Sequence, residues 1–373
     1  MSDLHLGCEH VRPEAHSSQA GACHCDEAFG RWLDDVTKEQ TPVDVVLLGD
    51  TFDLSEVRAS RTHADSGSPV TEALASLDCV LTSHPVMLDS LARLSGTGSS
   101  LHVLPGNHDI ELTAPAVQHR LRMRIEEASG HDAWQRVAFH PWVFHVPALL
   151  YAEHGNQYHD INAFPTLLWA FVEGDVDRPL AAAVERYSRD RDIVAFVTRA
   201  AQTVRRMSRP ATARRRERYR TTVLPAYARR VGIDPAALIA IDRQADASVP
   251  AIAARLGRKL VRSLLRGDGD RAGYLHAASP AVHAALASVQ QEVPFYVFGH
   301  THVAEERALP GGARYLNSGS WSCAETSQRS APRPLPYVHV EQPEAGSATA
   351  AVLWWDDSQG RPEPAPAAPT PAA

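Results

Sequence analysis

Lysine is nearly missing from this chain of 373 residues: Lys38 and Lys259 stand alone, and the rest of its 37 cationic side chains are arginine. Aromatic residues are sparse at 7%. Only five cysteines occur, Cys8, Cys23, Cys25, Cys79 and Cys323. Their odd number and irregular spacing exclude a disulfide scaffold. Cys23-His24-Cys25 lacks the second, well-spaced pair that a structural zinc site needs. No run is long and apolar enough to span a bilayer. The chain opens directly on Ser2-Asp3-Leu4-His5, with no secretory leader pattern. The expectation is a soluble protein of a reducing compartment, cytoplasmic, at most peripheral at a membrane.

What is present fits a folded enzyme-sized chain. Hydrophobic residues make up 44%, enough for a substantial core. The length suits one large domain with an insertion, or two domains. A formal net charge of −7 argues against the whole molecule binding nucleic acid.

Residues 26–39 have helical spacing, with Phe29, Trp32, Leu33 and Val36 on one face. Residues 43–48 form an apolar, β-branched run that reads as a buried strand. Residues 70–94 read as helical with a break at Pro85. A strand at 101–104, a helix at 113–128 and short strands near 136–140, 142–147 and 149–153 follow. Residues 161–293 lose strand character and read as helical. Leu167-Leu168-Trp169 and Phe171 there suit a helix packing face, or a lid over an apolar substrate. Between Val204 and Val231 stand ten arginines against the single acid Glu217. That basic patch is a solvated helix face or a surface for phosphate, nucleic acid or anionic lipid. Strands return at 294–298, 313–317, 337–341 and 349–355. From Ser358 the chain is rich in Pro and Ala and reads as a disordered tail.

Polar residues collect at the strand ends. Asp3 and His5 are two apart, so an extended backbone points both to one side. Asp50 follows a strand within Gly49-Asp50-Thr51-Phe52-Asp53. Asn107, His108 and Asp109 share a glycine turn, Pro105-Gly106-Asn107-His108-Asp109. His154 precedes Gly155, and His300 and His302 lie two apart after a strand. Each fragment alone is weak, because turns use Gly, Asn and Asp for backbone reasons. Together they supply N and O donors without thiolate, as two adjacent divalent cations require.

These five blocks, at 3–5, 49–53, 106–109, 154–155 and 299–302, resemble the calcineurin-like metallophosphoesterase superfamily. The resemblance implies an α/β fold, a four-layer αββα sandwich of two mixed β-sheets flanked by helices. It implies a catalytic domain of 1–160 and 294–357, with 161–293 an Arg-rich helical insertion and 358–373 a tail. One metal would take Asp3, His5, Asp50 and His302; the other would take Asp50, Asn107, His154 and His300. His108 would protonate the leaving oxygen, with Asp109 orienting it. Asp53 would stand behind the ligands, and Asn317 and Ser318 would touch substrate. The implied cofactors are two divalent ions, manganese first, with iron, zinc or magnesium as alternatives. A full strand normally precedes the first block, so the first strand is expected to be short or missing here.

The function so implied is hydrolysis of a phosphoester or pyrophosphate bond by a hydroxide bridging two metals. The substrate would be a phosphorylated small molecule or a lipid-linked phosphate, with no obligate protein partner. The arginine run keeps two further expectations open: a nuclease or phosphodiesterase acting on nucleic acid, and docking on an anionic membrane surface. A catalytically dead scaffold is the reading from another class. It would be expected to have lost ligands, and none is missing.

Overall fold

The computed structural model describes residues 1–8, 25–38, 41–54, 68–130, 135–159, 162–164, 166–169, 210–245, 273–322, 335–343 and 346–364. The first sheet is wholly parallel. Its strand β1 (Asp44–Leu48) pairs with β2 (Ser100–Leu104), and β2 pairs with β3 (Val137–Phe139). Strand side chains alternate between faces. Val45, Leu47, Leu101 and Val103 join one core cluster with apolar residues of α1 (Cys25–Thr37), α2 (Pro69–Ser83), α3 (Pro85–Gly96) and α4 (Pro115–Ser129). Leu48 and Leu104 belong instead to a second cluster, with Phe144, Leu150, Val297 and Leu316.

Those partners lie in the second sheet, which is mixed. Its order is β4 (Val143–Val146), β5 (Leu150–Glu153), β6 (Phe295–Phe298), β8 (Arg314–Ser318), β7 (Ala304–Ala308). β5, β6 and β8 run parallel, and β4 and β7 are antiparallel edges. The opposite face of this sheet presents Tyr151, Tyr296, Phe298 and Tyr315 to the first cluster, which also holds apolar residues of the helical segment. That segment comprises α5 (Pro210–Arg218), a π-helical turn (Tyr219–Val223), α6 (Leu224–Arg230), α7 (Pro235–Ala245) and α8 (Gly273–Ala287). Tyr227 of α6 ties it to the sheet edge, its hydroxyl accepting from the Val143 N–H at 2.9 Å. Leu167 is buried in the same core, as the packing-face reading expects.

The α/β sandwich is as expected, but its sheets differ in detail. The first sheet is parallel rather than mixed, and a third, antiparallel sheet is built by β9 (Leu335–Glu341), β10 (Thr349–Asp356) and β11 (Arg361–Pro364). β11 corrects the expectation of a tail disordered from Ser358. Asp356 Oδ1 accepts from the Ser358 N–H at 2.9 Å, and Gly360, at φ 61°, turns the chain back. Pro362 and Pro364 are tolerated because β11 is an edge strand and both take the same alternate position in the ladder. Residues 365–373 lie outside the described residues. β7 carries no apolar alternation, since Glu305, Glu306 and Arg307 occupy a partly exposed edge. The helical reading of 70–94 holds with its break, α2 ending and α3 beginning around His84-Pro85.

Residues 1–6 follow β1 without forming a strand. Met1 O accepts from the Leu48 N–H at 2.8 Å, the Asp3 N–H donates to Gly49 O at 3.1 Å, and the His5 N–H donates to Asp50 O at 3.0 Å. Only one bridge, Leu6 to Phe52, is registered, in line with the short first strand expected. Cys8 is bonded to Cys79 of α2, a pair 71 residues apart that the cysteine spacing does not announce. Cys25 is buried, its thiol donating to Trp321 O at 2.7 Å; Cys23 and Cys323 lie outside the described residues.

A histidine pair sits beside Phe144. His102 Nδ1 is 3.0 Å from His140 Nε2. Burial, then the neighbouring His102 and Arg230, push His140 down to about 4. In the unfolded chain it titrates near ~6.5. The folded state therefore binds fewer protons between these values, and stability rises with pH across that window. We expect His140→Phe to flatten the loss of stability on acidification from pH ~6.5 towards 4, measured by urea unfolding. An unchanged slope would contradict this assignment.

Candidate metal centre

The parallel strands bring their C-terminal ends together, which is where open sheets place ligands. Asp50 follows β1, Asn107 and His108 follow β2, His154 follows β5, and His300 and His302 follow β6. Asp3 and His5 lie alongside the Asp50 turn. Asp3, His5, Asp50, His300 and His302 all adopt left-handed backbone, with φ of 56°, 52°, 50°, 67° and 61°. Only Ala148 and Gln290 share that conformation among the other described non-glycine residues. Such conformations cost on the order of 1–3 kcal/mol each and collect at functional sites. Gly106 is required for a different reason: a Cβ there would strike the Asp50 carboxylate and backbone.

Two groups of donors result. Asp3, His5 and His302 form one, and Asp50, His154 and His300 form the other. In the first, His302 Nε2 is 3.2 Å from Asp3 Oδ1 and 3.2 Å from His5 Nε2. In the second, His154 Nε2 is 3.2 Å from Asp50 Oδ2. Asp50 Oδ2 is also 4.0 Å from His5 Nε2, so one carboxylate oxygen faces both groups. A third group, His5, Asp53 and His108, adjoins the first.

Several donors are aimed by a second contact, as metal-ligating residues usually are. His154 Nδ1–H donates to Leu48 O at 2.8 Å, which turns Nε2 towards Asp50. The His108 backbone N–H donates to Asp50 Oδ1 at 2.7 Å, leaving Oδ2 for the cluster. Behind His154, the buried Glu153 carboxylate accepts from Trp142 Nε1 at 2.6 Å, Tyr151 Oη at 2.8 Å and Tyr158 Oη at 2.5 Å. Glu153, Trp142 and the two tyrosines carry no motif signal. Their apolar neighbours read only as strand.

Two expectations change with the contacts. Asp109, implied to orient His108, is occupied by backbone. Its carboxylate accepts from the N–H groups of Gly106 (2.6 Å), Thr51 (2.8 Å), Phe52 (3.2 Å) and Asp50 (3.3 Å), joining two ligand-bearing turns. The residue beside the His108 ring is Asp53, whose Oδ1 lies 3.0 Å from His108 Nδ1 and 2.8 Å from His5 Nδ1. Asn317 and Ser318, expected to touch substrate, are fully buried. Asn317 Nδ2 donates to Gly299 O at 2.9 Å, and Ser318 Oγ is 2.6 Å from Ser2 Oγ.

The electrostatics are those of charges neutralising one another out of water. Burial works to raise the carboxyls of Asp3, Asp50 and Asp53, but the facing imidazoles overcome it and hold all three well below the usual carboxylate range. Burial works to lower His154, yet Asp50 and Asp3 raise it to about 9. His300 is pushed well down by burial, then by His154 and His159. Asp109 is raised to about 7 by burial and the nearby Asp50 charge.

The family model for calcineurin-like phosphoesterases matches residues 1–206, more than half of the chain. The chain belongs to the calcineurin-like phosphoesterase family. No curated protein sequence matches it closely enough to count as a relative. This calcineurin-like phosphoesterase therefore belongs among metal-dependent hydrolases of phosphoester bonds. Its donor set suits cations. Asp3 Oδ1, Asn107 Oδ1 and His154 Nε2 are buried with no hydrogen bond of acceptable geometry, and orphaned buried acceptors are rare without a ligand. Oxygen and imidazole donors without thiolate fit manganese, iron, zinc or magnesium. No described helix is long and apolar enough to cross a membrane.

The Asp109 contacts make a prediction. Asp109→Ala strands four buried backbone N–H groups, at about 1–3 kcal/mol for each left unsatisfied. Thermal unfolding of the metal-free protein should drop sharply, and bound metal should fall on both sides of the cluster. A variant with wild-type melting would return Asp109 to the role of merely orienting His108.

Proposed function

We propose that this phosphoesterase is a two-cation phosphohydrolase, and the observation that carries the reading is Asp50 Oδ2 facing both donor groups. Asp3, His5, Asp50 and His302 would hold one cation. Asp50, Asn107, His154 and His300 would hold the other. When bound, the two cations lower the pKa of a water and screen the phosphoryl oxygens.

The chain's own residues supply positioning and a proton. The shared Asp53 carboxylate faces His108 Nδ1, which leaves Nε2 free to carry a proton towards the centre. His108 is 21% exposed, so a bound ester can reach it. As the P–O bond to the leaving group breaks, His108 Nε2–H gives its proton to the departing oxygen. Asp53 keeps the ring oriented and stabilises its charged form. The buried, pre-bonded turns cost no reorganisation during the reaction.

The substrate reading is a phosphorylated small molecule or lipid-linked phosphate. Arg214, Arg218, Arg229 and Arg230 are exposed on the helical segment, which supports attraction of an anionic substrate or surface. Within this reading 161–293 is a helical insertion beside the catalytic domain. Nucleic acid is disfavoured by the net charge of −7.

The test is hydrolysis of a chromogenic phosphodiester and the matching monoester by manganese-loaded protein. We expect turnover by the wild type, none by Asp50→Ala, and a loss of about 10²–10⁴-fold for His108→Ala. Asp53→Asn should fall between the wild type and His108→Ala. Full activity in Asp50→Ala would sink the two-cation reading. The diester-to-monoester ratio then fixes which ester class the site prefers.

A further inference from the structure

One cluster beside the centre belongs to none of the five sequence blocks. His159 and Asn162 follow the turn that begins at Gly155, and Tyr274 comes from the first turn of α8. His159 Nδ1 lies 3.1 Å from His300 Nε2. Asn162 Nδ2 is 3.0 Å from His159 Nδ1 and 3.3 Å from His300 Nε2. The Tyr274 ring stacks flat on His159, with centroids 4.8 Å apart and planes 9° apart, and meets His300 edge-on at 5.9 Å.

The turn that presents His159 is fixed by buried amides. Asn156 Nδ2 donates to Asn162 O at 3.0 Å. Gln157 bonds Phe164 twice, Nε2 donating to its O at 3.0 Å and Oε1 accepting its N–H at 2.7 Å. His300 is fixed at its backbone, its N–H donating to Asp3 Oδ2 at 3.0 Å. Its ring orientation is thus left to what meets Nε2. An imidazole that ligates through one nitrogen carries its proton on the other, and that proton needs an acceptor.

We infer that His159 is a positioning residue for His300. Its Nδ1 accepts the His300 Nε2–H and turns the other ring nitrogen towards Asp50 and His154. Tyr274 holds the His159 plane, so α8, which contains none of the ligand blocks, sets how well the His300 side binds its cation. The inference rests on the two-cation reading.

The test is titration of the metal-free chain with manganese chloride by calorimetry, with bound metal counted by mass spectrometry. The wild type should take up two equivalents. His159→Phe keeps the stack on Tyr274 and removes the acceptor. It should weaken one equivalent by roughly 10–100-fold and leave the other unchanged. His159→Gln, which keeps an acceptor, should stay within a few-fold of wild type. Tyr274→Leu should lose part of the same affinity. Metal-free melting temperatures should match throughout. Two unchanged affinities in His159→Phe would overturn the positioning role, as would equal weakening of both. A wild type that binds one equivalent would overturn the two-cation reading instead.

Discussion

Four backbone N–H groups converge on one buried carboxylate, and the centre depends on that convergence. Asp109 holds Gly106 and residues 50–52 at once, so the turns after β1 and β2 cannot move independently. The His108 N–H closes the loop by donating to Asp50 Oδ1. These bonds fix Asp50 in left-handed backbone at φ 50° and aim its free oxygen outward. Tight turns at strand ends are inexpensive when their amides are paired. A carboxylate with two acceptor oxygens can pair several amides within one small volume.

Most strands, and the helices outside 161–293, were legible because their patterns are local. Val45 to Leu48 and Leu101 to Leu104 announce buried strands, and Pro85 announces the break between α2 and α3. β7 and β11 were not, because edge strands tolerate charge and proline that a buried strand would not. The Cys8–Cys79 bond was hidden for another reason: it joins residues that only the tertiary fold brings together.

The candidate ligands were legible as residue types at strand ends, but the residues behind them were not. Asp53 is the exception: expected to stand behind the ligands, it has its Oδ1 against His5 and His108. Asp109 was expected from the family resemblance to orient His108, while the contacts of its carboxylate are with backbone N–H groups. Glu153, Tyr158 and His159 sit beside ligands that motifs do name. Among their partners, Trp142 precedes β4, Tyr151 lies in β5, His300 follows β6 and Tyr274 belongs to α8. A motif records which side chains meet the centre. It does not record which side chains hold those, since that depends on register and helix placement.

The charge balance explains why such holding contacts are needed. Three carboxylates, Asp3, Asp50 and Asp53, are packed among His5, His108, His154 and His302. Buried charges are stable only when opposed by neighbours, and removing one partner leaves an uncompensated charge. Imidazoles are those neighbours, and the Asp50 and Asp3 carboxylates in turn favour the charged form of His154 against its burial. Cations offer the same compensation and compete with the protons for the same nitrogens. The competition favours cations only if the lone pairs already point inward. Nδ1 of His154, tied to Leu48 O, meets that condition without help from a ligand. Among the described residues His300 meets His159 and Asn162 at Nε2, side chains rather than a backbone carbonyl. The two imidazoles of the second donor group are thus oriented by different means. One is held by strand backbone, the other by side chains that a neighbouring helix keeps in place.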